Sequence, residues 1–502
     1  VTLRELARRP HPCAPWLDLT DSVKSELFPG GIGEDPASLL LRLEELRGRE
    51  HQVPELPCGI MDSWAPGTRA AWERIRAGAP VVMTGQQPVL GGGPWFVWLK
   101  AAGAIASARR ASKLLGVDVV PLFWIAGDDS DLPEVASIGD PLSGESLQAD
   151  FASAPEGTPV GALPWADGEA SRLGEGMSRL WSGTAAGSIQ RGAAGLSEAL
   201  RRSLEHWFPD AGLAIVDAAW PGMRASFARS YAVFARHHET VSQALAQGIE
   251  AAADNGLPVT LKALEGRTRL FALEGGVRTR LEAPADPEAL AQAILGNPEG
   301  YSHDAASRIF AAECAFPVLA HVLGPGEFAY VACLGRVQDR LGKRIGLALP
   351  RPSLTVLPAE VAARAPGAGH EFDRKCPASP RSLELEFLRR RHPETAALGR
   401  FWQDMRHRYL EALGSGDAAL NHKLAAREER LLRRRLLDKA SESPEEILGI
   451  RELWAWLGAG ALQERGWTTW AIEAQLGRGA LDAVGELIAE FDNSCHLVAE
   501  AS

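Results

Sequence analysis

The sequence predicts an α/β protein: a parallel-sheet core with connecting insertions, followed by an α-helical hairpin. Three observations predict this. Residues 79–127 read as strand, glycine-rich turn, helix and strand. The order strand, glycine turn, helix returns in "FPVLAHVLGPGEFAYVACL". Beyond residue 394 the apolar residues recur at every third or fourth place instead. A strand–helix–strand unit closes as a parallel pair through a right-handed crossover, and ligands gather beyond the carboxyl ends of its strands.

The first of these segments sets the pattern. "APVVMTG" (79–85) is a short apolar strand, and the helix over 94–115 puts Trp95, Trp98, Leu99, Ala102 and Ile105 on one face, with Gly116 as its stop. "VDVVPLFWIAG" (117–127) is the second strand, so "TGQQ" and "GDDSD" both fall at the carboxyl end of the sheet. Before this unit, residues 1–75 form a helical prelude packed on the core; Asp35 and Pro36 open a helix carrying Leu39, Leu40, Leu43 and Leu46. The core runs over 76–375, with insertions near 140–210 and 220–310. Within it, "GLAIVDA" reads as a buried strand, 223–252 as helical, and "LPVTLKAL" and "TRLFALEGGVRTRLE" as a strand pair turning at Glu274-Gly275-Gly276.

Residues 376–456 read as an antiparallel hairpin of helices: Leu398, Phe401, Met405, Tyr409 and Leu413 make one seam, "GSGD" (414–417) turns the chain, and Leu420, Leu424, Leu431 and Leu436 make the other. The charged run "REERLLRRRLLDK" is a solvated helical face, or a basic nucleic-acid arm; aromatic or glycine interleaving, which such arms use, is missing. Residues 457–502 are expected to be helical again.

Composition bounds the rest. A chain of 502 residues exceeds one ordinary core, which stops growing at roughly 250–300 residues, so at least two modules are expected. Hydrophobic residues at 46% and charged residues at 23% are globular proportions. A net charge of -11 argues against a phosphate-neutralising surface, and no nucleic-acid partner is expected. The six cysteines form no Cys-x-x-Cys pair, so no zinc site is predicted and buried thiols are expected. The opening "VTLRELARRPHPCAPW" lacks the apolar run of a signal peptide, and no 18 apolar residues run uninterrupted; a cytoplasmic protein without a membrane partner is expected.

Three motifs carry candidate chemistry. In "TGQQPVLGGGP" the glycines let backbone approach a ligand, and a helix N-terminus behind Pro94 favours an anion; a tight corner would need the same residues. Neither a Walker motif nor a dinucleotide fingerprint is matched. Asp128, Asp129 and Asp131 could bind magnesium, a ribose or an amine, or simply cap the next helix. In "LGPGEFAY", Gly324 and Gly326 make a flexible turn, and Glu327 is either a site acid or a helix cap, with Tyr330 three residues on. His303, His321 and His496 are too dispersed in sequence to propose a metal site.

Taken in order, "VVMTGQQ" with its Gly-Pro and Lys100, "VVPLFWIAGDDSD", "LGPGEFAY", "PRPS" (350–353) and "LQER" (462–465) resemble the cysteine-adding enzymes, the cysteine ligases of bacillithiol biosynthesis. The resemblance implies a Rossmann-like core related to nucleotidyl transferases, interrupted by insertions, plus a coiled-coil module through which a homodimer forms. It implies joining the carboxylate of L-cysteine to the amine of glucosaminyl-malate, with activation by ATP or another nucleotide and Mg as a possible companion. By the same resemblance Thr84, Gly85, Gln86, Gln87, Gly93 and Lys100 line the nucleotide or cysteine end of the cleft. Gly127 and the three aspartates stand at the amine or metal end, and Gly324, Gly326, Glu327 and Tyr330 close the other wall. Arg308 would neutralise malate or phosphate. The chain departs from the family at Ser130, where a histidine is usual, at Gly92, where a threonine is usual, and at Ala312, where a glutamine is common. Two further readings follow from those departures: a nucleotide-binding relative without ligase activity that acts as an interaction protein, or a ligase for a different amine.

Overall fold

The computed structural model describes residues 1–364, 388, 392–412, 418–440, 451–458, 462–490 and 495–502. Its strands are, in chain order, β1 (Leu3–Pro10), β2 (Val81–Gln86), β3 (Val120–Ile125), β4 (Ser137–Gly139), β5 (Ser146–Gln148), β6 (Ala214–Asp217), β7 (Arg267–Glu274), β8 (Val277–Glu282), β9 (Tyr301–His303), β10 (Val318–Leu323), β11 (Leu347–Pro350), β12 (Leu354–Pro358) and β13 (Cys495–Ala501).

The central sheet has the order β11-β10-β2-β3-β6 and is parallel throughout. Its residues alternate between two layers, as the pleat requires. Val120, Leu122 and Trp124 face a core containing Trp72, Phe227 and Phe316, whereas Phe123 and Ile125 face the layer holding Trp95 and Trp98. The chain adds β3 and β6 on one side of β2, then β10 and β11 on the other. The order therefore reverses between β2 and β10, and the loops leaving these two strands diverge to leave a crevice.

The helix Trp95–Leu115 crosses one face, ending at Gly116 in the left-handed conformation. It is buried over most of its length, and its small residues allow close approach: a Cβ on Gly103 would fall 2.4 Å from Pro352 Cδ. The helix Pro36–Arg47 opens as expected, with the Asp35 side chain accepting from the Ser38 N–H at 2.9 Å.

Several elements differ from the expectation. The prelude carries β1 as well as helices, and the tail ends in a strand, because β13 lies between β1 (antiparallel) and β12 (parallel). These pairings supply backbone partners from over 100 residues away, which local periodicity does not register. "LPVTLKAL" forms no strand; β9 completes the sheet of β7 and β8 instead. The helical span 223–252 is two helices, Met223–Arg236 and His238–Asp254.

The helices Pro393–Ala412 and Ala418–Ala440 run antiparallel, with Arg406 3.4 Å from Glu428 and Gly399 against Leu432. The expected linker beyond residue 364, the turn at 414–417 and residues 441–450 lie outside the described residues. Cys13 and Cys333 are buried free thiols, and Cys314 and Cys495 are half-buried. Among the described residues no helix is long and apolar enough to cross a membrane.

Candidate active site

A cleft of about 350 Å³ opens at the reversal point, between the ends of β2 and β10. One wall is Gly85, Gln86 and Gln87; the other is Gly324, Gly326 and Glu327. Between them stands Lys100, two turns into the long helix. Its Nζ lies 2.7 Å from Glu327 Oε2, donates to the Gly85 carbonyl at 2.8 Å and to Gln86 Oε1 at 3.0 Å. Burial lowers the Lys100 pKa, and the Glu327 carboxylate opposes that pull. Glu327 also accepts from the Gly324 N–H at 2.7 Å, so the carboxylate that caps the helix is also the one that holds the lysine.

Three arginines add positive charge to the lining. Arg308, from the helix Ala305–Ala315, donates to the Tyr330 hydroxyl at 3.3 Å. Burial works against its charge, while Tyr330 and Glu327 hold its pKa above the usual arginine value. Arg351 and Arg465 complete the cationic wall, and no role for either was expected. Arg351 is paired with Glu464, and both are buried; Nη1 meets Oε2 at 2.9 Å and Nη2 meets Oε1. Burial alone would raise the Glu464 pKa, but Arg351 holds it down at about 2. Gln463, next to it, bonds both backbone groups of Val356 at 2.8 Å. These anchors carry Arg465 to the cleft. "PRPS" and "LQER" thus form one device, separated by over 100 residues in sequence.

Across the cleft, Gln87 Nε2 donates to Asp129 Oδ2 at 3.0 Å and to Glu134 Oε2 at 3.1 Å. Asp128 points elsewhere: its Oδ2 is 3.1 Å from His303 Nε2, and His303 Nδ1 is 2.8 Å from the Tyr231 hydroxyl. Burial acts to raise the Asp128 pKa, and His303 with Arg278 and Arg308 outweighs it, so the group stays below the ordinary range. Asp131 is exposed at the start of a short helix. The three aspartates therefore do not converge on one ion, and among the described residues no three His, Cys, Asp or Glu side chains form a metal-holding group. Gly127 is required by packing: a Cβ there would lie 2.3 Å from Asp217 Oδ1. Buried Asp217, at the end of β6, has its pKa pushed up to about 6 by that burial.

The glycine corner answers differently from either simple reading. Gly91, Gly92 and Gly93 all have positive φ (63°, 78° and 83°), so the turn does demand glycine. Their backbone approaches side chains rather than the cleft: added Cβ atoms would meet Ile138, Trp207 and Val97 at 2.8, 2.8 and 2.9 Å. A threonine at 92 does not fit this arrangement. The first N–H of the long helix is not open to an anion either, because the Trp95 N–H donates to the Trp467 carbonyl at 2.6 Å. Gly93 is thus brought to the corner and not to the cleft. Thr84 sits behind it, its hydroxyl donating to the Val322 carbonyl at 2.9 Å, and with Tyr330 and Ala312 it lines a smaller void of about 50 Å³.

Residues 61–352 match the family described as bacillithiol biosynthesis BshC, N-terminal Rossmann-like domain. That span is more than half of the chain and contains the sheet and most of the cleft. The chain belongs to the BshC family. Relatives named "Putative cysteine ligase BshC" include one from Desulforamulus reducens, 29% identical over 306 residues, covering 56% of this chain and 55% of the relative. Another, from Halalkalibacterium halodurans, is 27% identical over 300 residues, covering 56% of each. The one from Anoxybacillus flavithermus is 26% identical over 364 residues, covering 67% and 68%. The chain thus spans about half the length of the first two relatives it matches. Among solved structures, a chain titled "putative arginyl t-RNA synthetase" from Campylobacter jejuni matches at 11% identity over 84% of this chain and 96% of that one, with a TM-score of 0.22. The BshC match itself accounts for the parallel core.

Three buried histidines around this region set an acid limit. His11, His303 and His496 are each pushed by burial from 6.5 to about 4, so all are neutral at pH 7. Their folded pKa values lie below the unfolded one, so unfolding takes up protons below pH 6.5. Stability is full above pH 6.5 and falls toward pH 4, by about 1 kcal/mol per pH unit for each histidine. Urea midpoints measured from pH 7 to pH 4 are expected to drop steeply in that window; a flat profile there would contradict the buried neutral imidazoles.

Proposed function

We propose that this BshC-family chain is an amide-forming ligase that joins the carboxylate of L-cysteine to the amine of glucosaminyl-malate, using ATP to activate the carboxylate. The observation that carries the proposal is the polarity of the cleft. Lys100 and Arg351 are matched by carboxylates, whereas Arg308 and Arg465 have no carboxylate within 4 Å among the described residues, leaving two cations for an anionic substrate. Asp129, Glu134 and the Gln87 amide face them, a set suited to orient an ammonium group.

Amide formation from a free carboxylate requires a leaving group on the acyl carbon. ATP supplies it as an acyl phosphate or acyl adenylate; the amine then attacks that carbon, phosphate or AMP departs, and the amine loses a proton. The cationic wall would hold the phosphoryl charge that grows on departure, and the acidic wall would hold the amine within reach. Ser130, in place of the usual histidine, leaves Asp129 as the acceptor nearest the Gln87 side of the cleft.

Purified protein given ATP, cysteine and glucosaminyl-malate should form bacillithiol, identified by mass spectrometry, and consume ATP in proportion. ATP turnover with cysteine but only with another amine would assign a different acceptor. Nucleotide binding without turnover would assign the interaction-protein reading.

The helical arm fits a self-association surface, and we propose a homodimer through it. Phe401, Met405 and Tyr409 are spaced four residues apart and are 57%, 49% and 54% exposed. The F401E/M405E/Y409E variant should run as a monomer in light scattering where the unaltered protein runs as a dimer. Equal masses would remove the proposal.

A further inference from the structure

At the opposite edge of the sheet, where β10 and β11 begin, lies a second cavity of about 360 Å³ that shares no lining residue with the cleft. Its base is apolar: Phe234 and Phe310 meet at 5.2 Å between ring centres, flanked by Val233 and Leu341. Its rim is cationic, made by Arg49, Arg229, Lys343 and Arg344, in a protein whose net charge is -11.

The two carboxylates on its wall do not neutralise that rim. Glu313 is occupied by Arg42, by His321 Nε2 at 3.0 Å and by the Gly346 N–H at 2.6 Å. Glu50 reaches Arg229 at 3.1 Å, but its side chain is 79% exposed, and such surface pairs are worth little. Arg49 reaches Glu45 at 3.4 Å and the Arg344 carbonyl at 3.2 Å, and Arg344 is paired with Asp339 at 2.6 Å, so the rim cation left over is Lys343, which among the described residues has no carboxylate within 4 Å. Both ring nitrogens of His51, also on the wall, are shielded from solvent and lack a hydrogen bond of good geometry.

We propose that this cavity is a second small-molecule site, which takes an anion, phosphate or carboxylate, carried on a flat apolar ring. The ring lies over the Phe234–Phe310 base, and the anion meets Lys343 and Arg229.

Phenyl phosphate, benzoate and benzyl alcohol serve as probes in calorimetric titrations of the full chain. The first two share the ring and differ in the anion, and the third lacks charge. Phenyl phosphate or benzoate should bind, and whichever binds more tightly names the anion. The R229A/K343A variant, altered only at the rim, should weaken that binding at least tenfold, while R465A in the cleft should leave it unchanged. The alkylation rate of Cys314, a residue of the cavity wall, should fall at least threefold at saturation. Three results overturn the proposal: no saturable binding of either anion, benzyl alcohol binding as tightly as the anions, or binding that survives R229A/K343A and disappears in R465A.

Discussion

Replacing Glu464 by glutamine is expected to destabilise the protein by about 3–5 kcal/mol, because it leaves the Arg351 guanidinium buried without its counter-charge. The two side chains are 3% and 0% exposed, so water cannot take over the lost partner. Ser353 makes the loss larger: its hydroxyl donates to Glu464 Oε2 at 2.8 Å and meets His496 Nδ1 at 2.7 Å, so the carboxylate also organises β13. Urea unfolding at pH 7 measures the effect. The paired variant R351M/E464M should lose less than E464Q alone, since it removes both charges and fills the space. The sign of the pH dependence follows from the Glu464 pKa, which is lowered from 4.5 to about 2. Its contribution is present above pH 4.5 and is lost as pH falls through about 2, so the gap between the unaltered protein and E464Q should close in acid. A change below about 0.5 kcal/mol at pH 7 would show that the pair is solvated and does not anchor the C-terminal segment.

That pair also marks the boundary of what a single sequence reveals. The strand–turn–helix units at 79–127 and 316–334 were legible because their signals are local: apolar runs of strand length, then glycine or proline, then helical spacing. They placed Gln86, Gln87, Lys100, Gly324, Gly326 and Glu327 on the cleft. Thr84, Asp128 and Gly93 carried the same local signal, and the structure gives each of them a neighbour other than the cleft: the Val322 carbonyl, His303 and the corner residues Val89 and Val97. A motif fixes the backbone path, but the direction of each side chain depends on what packs beside it. Arg351 and Arg465 stand in the quoted stretches "PRPS" and "LQER" but carry no legible role there, for the converse reason. Their position depends on β13 inserting beside β12 and on Gln463 bonding the backbone of Val356, contacts that span over 100 residues. His303 likewise gains its meaning from Asp128 and Tyr231, each more than 70 residues away in the chain.

Arg465 should behave in the opposite way to its neighbour, although one residue separates them. Its side chain is exposed toward the cleft and has no carboxylate partner among the described residues, so R465A removes no buried interaction and should shift stability by less than about 0.5 kcal/mol. On the proposed function it removes a charge-assisted hydrogen bond to the anionic substrate, worth about 1.5–3 kcal/mol, so kcat/KM for ATP-dependent cysteine consumption should fall about 10- to 150-fold. The kinetic split assigns the cause. A rise in KM with kcat unchanged means that Arg465 holds the ground-state anion; a fall in kcat means that it meets charge developing as the leaving group departs. R465K should recover part of the loss, because an ammonium supplies the charge without the paired N–H geometry of the guanidinium. If R465A retained full activity, the C-terminal segment would serve the cleft only as a buttress, through Glu464 and Gln463, and the cationic wall would reduce to Arg308. Stability and turnover measured on E464Q and R465A together therefore separate the anchoring function of "LQER" from its chemical one.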